Sequence, residues 1–119
     1  MKHYGLTLCL RDDAQVIERY KEHHRDPWPG PLQGLRDVGI VDMQIFLLGT
    51  RMFMYMTTED QFDPDVDFAK YIDANPEAKK WDDLMRTFQV KVAEAKDDEW
   101  WAMMEHVFDL GKHLPPKQA

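Results

Sequence analysis

The stretch VDMQIFLLGTRMFMYMTT, residues 41–58, restricts the possible folds of this chain more than any other segment. It contains two runs rich in apolar and aromatic residues, split by Gly49-Thr50, and this pattern predicts a β-hairpin. In the second run three methionines alternate with two aromatic residues: Met52, Met54 and Met56 with Phe53 and Tyr55. Because both faces of this strand are apolar, we expect the hairpin to lie in a sheet that is covered on each side.

Further segments around the hairpin predict two more strands and four helices. Alternating apolar residues predict a first strand over YGLTLCL (4–10), and WWAMMEHVFDL (100–110) predicts the last one. Prolines and capping residues predict helices that run from Asp12 or Asp13 onward, from Pro29 or Pro31 to Gly39, from Asp63-Pro64 to about Ala74, and from Asn75-Pro76 to about Phe88. The charged stretch 91–99 predicts a loop or a frayed helix end.

The resulting order is β-α-β-β-α-β, in which each α stands for a helical region. It predicts an α+β, ferredoxin-like fold, with one antiparallel sheet and helices on one face. The 119 residues predict a single domain, with its core at about 4–110 and a loose C-terminal tail at 111–119. Since helices would cover only one face of the sheet, we expect a second copy to bury the other and form a homodimer.

Composition argues against several classes of partner. The net charge of -7 disfavours nucleic acid and anionic membranes, because phosphate binding depends on clustered lysine and arginine. No apolar run approaches the roughly 20 residues that a membrane-spanning helix needs. A single cysteine, Cys9, excludes an intrachain disulfide, and the N-terminal apolar stretch is too short for a signal peptide. We therefore expect a cytoplasmic protein that binds a small neutral molecule.

The stretch YKEHHRDPWPG, residues 20–30, holds the best candidates for chemistry. Tyr20 and His24 are four residues apart and share one helix face, and histidine exchanges protons near neutral pH. Trp28 and Trp81 could form flat apolar walls, and Asp42 and Asp82 could accept hydrogen bonds from hydroxyl groups. By composition alone a structural role is favoured for His24, in which its ring interacts with the helix dipole.

The pattern does not predict a metal or a cofactor. Glu22, His23 and His24 are clustered, but adjacent histidines diverge on a helix, and the sequence lacks H-x-x-x-H and C-x-x-C spacings. It also lacks a glycine-rich phosphate loop and a G-x-S-x-G motif, so nucleotide binding and covalent catalysis have no support.

Four stretches, taken in order, resemble the L-rhamnose mutarotase family. They are Y-x-x-x-H-x-x-x-W-P (Tyr20, His24, Trp28 and Pro29), G-I-x-D-M-x-I-F-L (39–47), K-K-W-D-D-L-M (79–85) and H-V-F-D-L (106–110). The resemblance covers about residues 4–110, nearly the whole chain, and it depends on the order and spacing of the motifs together.

This resemblance implies a dimeric α+β barrel that interconverts the α and β anomers of a 6-deoxy-hexose without a cofactor. It implies that His24 is the acid/base and that Tyr20 contacts the sugar. Trp81 corresponds to the first residue of a substrate-binding tryptophan pair, Asp82 takes the place of the second, and Met43 takes the place of a strand tyrosine.

Those two replacements leave alternatives open. The sugar could be L-rhamnose, L-fucose or a related aldose, or the chain could be a non-catalytic sugar-binding dimer. A monooxygenase on the same fold is a further possibility. The order of Tyr20, His24 and Trp28-Pro29 points away from it.

Overall fold

One antiparallel sheet and four helices build the protein in the computed structural model, which describes residues 1–115 and 117. The strands are β1 (Lys2–Leu10), β2 (Ile40–Leu48), β3 (Arg51–Thr58), β4 (Gln89–Val90) and β5 (Ala102–Met103). The helices are α1 (Ala14–Arg25), α2 (Pro29–Asp37), α3 (Pro64–Ala74) and α4 (Pro76–Arg86). The strand order β2-β3-β1-β4, with β5 also paired to β1, is the ferredoxin-like arrangement, which confirms the predicted α+β fold.

Local capping explains where the helices begin. The side chains of Asp13, Asp63 and Asn75 accept hydrogen bonds from backbone amides in the first turns of α1, α3 and α4. These bonds satisfy amide groups that have no partner within the helix. None of the described helices is both long and apolar enough to cross a membrane.

Two glycines with positive φ set the turns on either side of β2. Gly39 (φ 103°) follows the end of α2, and Gly49 (φ 62°) turns the chain between β2 and β3. Residues with a side chain rarely adopt these angles. The predicted helix stop and the predicted hairpin are therefore both confirmed.

The helix-facing side of the sheet holds the core. Leucines of β1 and methionines of β3 alternate inward and are almost fully buried: Leu6, Leu8, Leu10, Met52, Met54 and Met56. They pack against Tyr20 of α1, Met85 of α4 and Phe62, which lies just before α3. Burial of these side chains supplies the main favourable free energy of folding.

The opposite side, which we call the open face, carries Gln44, Phe46 and Leu48 of β2 and Phe53 and Tyr55 of β3. Phe46 is 56% exposed and Leu48 86% exposed, although both are apolar. Within a single chain the hairpin is therefore covered only on the helix side, as the predicted fold requires, and cover of the open face by a second copy stays a prediction.

The predicted strand over residues 100–110 is confirmed only at Ala102–Met103 and is wrong for the rest of that segment. β5 spans only Ala102–Met103, which pair with Thr7 and Leu6 of β1. One further bond follows, from the Met104 amide to the Gly5 carbonyl at 2.8 Å, and the chain then leaves the edge of β1. The chain then continues without regular structure to a short 3-10 helix at Leu110–Lys112. This leaves Val107 and Phe108 exposed. Residues 116, 118 and 119 of the predicted loose tail lie outside the described residues.

Candidate active site

A cavity of ≈ 360 Å³ lies between the helix-facing side of the sheet and the helices. Leu6, Ile45 and Met54 of three strands form its floor. Its walls come from α1, α3 and α4, from β4, and from the segment that leads into β5. A largely apolar cavity of this size with a few polar groups is typical of small-molecule sites.

Tyr20 and His24 enter this cavity together from the end of α1. Their rings stack with a centroid distance of 4.2 Å, which confirms the prediction that they are neighbours on one helix face. His24 Nδ1 also lies 2.8 Å from the backbone carbonyl oxygen of Tyr20. Because a carbonyl oxygen only accepts, Nδ1 carries the proton in this bond, and Nε2 of the neutral ring is left as a proton acceptor.

The surroundings of His24 favour its neutral form. The residue is exposed at the mouth of the cavity, but its ring lies against Tyr20 and against Trp81, at a centroid distance of 5.5 Å. Partial desolvation of the ring lowers the pKa of His24 below 6.5. The bond to the Tyr20 carbonyl opposes this shift, and the nearby charge of His23 adds to it. The imidazole can therefore act as a base at neutral pH.

Tyr20 is held as a neutral phenol. It is only 5% exposed, and desolvation raises its pKa to about 12. Its hydroxyl oxygen accepts a hydrogen bond from Nε2 of Gln89 at 3.4 Å, which acts in the opposite direction on the pKa. The cavity thus pairs a neutral base with a neutral proton donor.

Three tryptophans line the cavity: Trp81, Trp100 and Trp101. Trp28, which the sequence predicted as a wall, does not line it and packs instead edge-on against Trp81, at a centroid distance of 5.1 Å. Trp28 therefore supports the wall from behind. Flat apolar rings of this kind can position the C-H face of a ligand and exclude water.

Charged and polar groups also line the cavity. Asp82 accepts a hydrogen bond from Nε of Arg86 at 2.9 Å, and the Arg86 guanidinium lies 4.7 Å from the Trp100 ring centroid. Tyr71 also lines the cavity, and desolvation together with the charge of Asp82 raises its pKa to about 12. These groups can exchange hydrogen bonds with hydroxyl groups of a ligand.

The two predicted residues of β2 point in opposite directions. Met43 faces the helices and lines the cavity, at a position that pairs with buried Met56. Asp42 pairs with Thr57, is exposed and bonds to Gln44 on the open face. Because side chains alternate along a strand, Asp42 cannot share the cavity with Met43, and the structure does not place it there.

Several cavity residues were missed from the sequence. Gln89, Tyr71, Trp100 and Trp101 were not singled out, because each reaches the cavity only through the packing of distant segments. The signal that could have found two of them is the Trp100-Trp101 pair, which was interpreted only as part of a strand. Within the described residues, no group of three or more His, Cys, Asp or Glu side chains could hold a metal ion.

Two solved structures have a fold similar to that of this protein. An L-rhamnose mutarotase from Formosa agariphila has a similar structure, with a TM-score of 0.65 and 21% identity over 92% of this chain and 98% of that one. The tetracenomycin F2 cyclase of Streptomyces glaucescens, a type II polyketide cyclase, gives a TM-score of 0.59 and 12% identity over 92% and 96%. Both likenesses support the ferredoxin-like fold of the dimeric α+β barrel class.

Two proteins are similar to this chain in sequence over most of its length. A UPF0734 protein of Dictyostelium discoideum is 43% identical over 112 residues, which is 92% of this chain and 90% of the relative. An L-fucose mutarotase of Xanthomonas campestris pv. campestris is 31% identical over 122 residues, 100% of this chain and 96% of the relative.

Fold, site and relatives together define an isomerase that acts on sugar anomers. The family model of L-rhamnose mutarotase matches residues 3–110, and the chain belongs to that family.

Proposed function

We propose that this protein is a cofactor-free mutarotase that interconverts the α and β anomers of a 6-deoxy-hexose in the cavity beside α1. The observation that carries the proposal is the stacked Tyr20-His24 pair, in which the Nδ1 bond leaves Nε2 as the proton acceptor of a histidine that lines a cavity with three tryptophans. L-Rhamnose and L-fucose are the two sugars that the relatives support.

Ring opening needs two proton transfers, and ring closure reverses both. His24 Nε2 removes the proton of the anomeric hydroxyl, and the Tyr20 hydroxyl gives its proton to the ring oxygen as the bond between C1 and that oxygen breaks. The open-chain aldehyde rotates about the C1–C2 bond. On closure, Tyr20 takes back its proton from the attacking hydroxyl, and the His24 imidazolium returns one to the new anomeric oxygen.

Electrostatics suit this assignment. The pKa of His24 is lowered and that of Tyr20 is raised to about 12, so at neutral pH both groups are in the form that starts the reaction. Acid/base assistance of this kind contributes on the order of 10² to 10⁴ in rate. Trp81, Trp100 and Trp101 would hold the apolar face of the sugar, including its 6-methyl group, and Asp82 and Tyr71 would meet its hydroxyl groups.

We also propose that the protein is a homodimer formed through the open face. Phe46 stacks with Phe53 on that face at a centroid distance of 6.3 Å, and Leu48 beside them is 86% exposed. Contiguous apolar surface of this kind is typical of protein–protein interfaces. A cytoplasmic location is proposed as well, and the single free cysteine, Cys9, agrees with a reducing compartment.

The proposed reaction can be tested by exchange NMR at the anomeric protons of L-rhamnose, L-fucose and D-galactose, with and without protein. We expect faster α/β exchange for one of the two 6-deoxy sugars and a smaller effect on D-galactose, which carries a hydroxyl group at C6. Exchange at the uncatalysed rate for all three sugars, with a folded protein, would contradict the proposal.

A further inference from the structure

Gln89 joins two cavity residues that lie far apart in the sequence. It sits in β4, is only 4% exposed and contacts the cavity between Tyr20 of α1 and Trp100. Trp100 Nε1 lies 2.7 Å from Gln89 Oε1, and Gln89 Nε2 lies 3.4 Å from the Tyr20 hydroxyl oxygen. One buried amide therefore bridges the tryptophan wall and the phenol.

The chemistry of these groups gives the bridge a direction. An indole N–H can only donate, so it must meet the oxygen of the Gln89 amide and not its nitrogen. The amide nitrogen then faces Tyr20, and because an amide N–H also only donates, the phenol oxygen must accept. The proton of the Tyr20 hydroxyl consequently points away from Gln89 and toward the cavity.

We infer that Gln89 is a positioning residue, which Trp100 orients so that the Tyr20 hydroxyl is presented to the sugar as a proton donor. This inference rests on the proposed function. It assigns to Trp100 a second task besides forming the wall: its N–H selects the orientation of the amide. The Arg86 guanidinium, 4.7 Å from the Trp100 ring centroid, also contacts that ring.

The test compares Gln89→Met in two backgrounds, the wild-type chain and Tyr20→Phe. Methionine has a similar unbranched shape, but it cannot donate a hydrogen bond to the phenol and lacks the amide oxygen that accepts from the Trp100 N–H. We expect Gln89→Met to lower the kcat of anomer exchange about tenfold in the wild-type background, with KM changed less than about twofold. In Tyr20→Phe the same substitution should change kcat by less than about twofold, because the group it positions is gone.

Two further variants complete the design. Trp100→Phe keeps an aromatic wall but removes the indole N–H, and we expect it also to lower kcat only when Tyr20 is present. Gln15→Met, at an exposed position near the start of α1, is the matched control and should leave exchange unchanged. Thermal unfolding of each variant shows whether it is folded, and Trp100→Phe tests the bridge if Gln89→Met does not fold.

The outcomes separate this inference from the proposed function. Equal losses of kcat with and without the Tyr20 hydroxyl, or no loss at all, would overturn the positioning role while leaving the mutarotase reaction intact. Absence of exchange in the wild-type protein would instead overturn the proposed function, and the positioning role with it.

Discussion

The imidazole of His24 stacks on the phenol ring of Tyr20 and, through Nδ1, donates a hydrogen bond of 2.8 Å to the backbone carbonyl of the same residue. One residue thus fixes both the plane and the tautomer of the other. Because the two are one helical turn apart, the helix itself sets this geometry before any ligand arrives. The pair is therefore preorganised for proton transfer.

We predict that His24→Ala lowers anomer exchange by about 10² or more, because it removes the base of the proposed reaction. The fold should be retained, since His24 is exposed at the cavity mouth. Exchange NMR gives the rate and circular dichroism the folded state. The neighbouring His23→Ala is the matched control and should retain most of the activity. Retained exchange in the folded His24→Ala protein would remove His24 from the mechanism.

The pH profile of exchange should follow the lowered pKa of His24. Because the neutral imidazole is the active form, the rate should rise with pH and reach a plateau. The midpoint of the rise should lie below pH 6.5. No alkaline loss from Tyr20 is expected near pH 8, since its pKa is about 12. Rates corrected for buffer and hydroxide catalysis measure this profile. A midpoint above 6.5 would contradict the assignment.

The pH profile of exchange also tests the electrostatic effect of His23 on His24. The electrostatic effect of His23 contributes to the lowering of the His24 pKa, so His23→Ala should move the midpoint upward toward 6.5. Stability should follow the same sign: the unfolded chain binds a proton at His24 near pH 6.5 and the folded chain only at lower pH. As pH falls below 6.5, this group therefore destabilises the fold. Denaturant unfolding between pH 7 and pH 5 measures that change.

We predict that Phe46→Glu dissociates the proposed homodimer. A carboxylate placed on the open face, beside Phe53, would have to be buried without a partner at the interface. Sedimentation velocity should show a dimer for the wild-type chain and a monomer for the variant. Val66→Glu, at a position that is 45% exposed on α3, is the matched control and should remain dimeric. A monomeric wild-type protein would rule out the homodimer itself.

Asn75 should contribute more to stability than an ordinary helix cap. Its Oδ1 accepts from the backbone amide of Ala78 at 3.1 Å, and its Nδ2 donates to the carbonyl of Gly30 in α2 at 3.0 Å. We expect Asn75→Ala to lower the free energy of unfolding by about 1–3 kcal/mol, since it removes both bonds. Asn75→Asp keeps the cap oxygen and loses only the donor, so its effect should be smaller. Urea unfolding at neutral pH ranks the two variants.

The cap residues Asp13, Asp63 and Asn75, and the glycine turns at Gly39 and Gly49, could be predicted from the sequence alone. Each depends on a residue and its near neighbours along the chain, and such local preferences are readable without tertiary contacts. The contact between Tyr20 and His24 could also be predicted, because residues four apart are neighbours on a helix.

Other features were decided only by tertiary structure. The predicted last strand is confirmed only at Ala102–Met103, because the length over which a segment stays paired with β1 depends on tertiary contacts that the sequence does not show. Asp42 was predicted beside the ligand but lies on the open face, because a bulge between Ile40 and Asp42 and the pairing with β3 fix which side it faces. Gln89 and Trp100 meet Tyr20 only after β4 and the segment before β5 have packed against α1. Their bridge depends on separations of up to 69 residues, which only the folded sheet brings together.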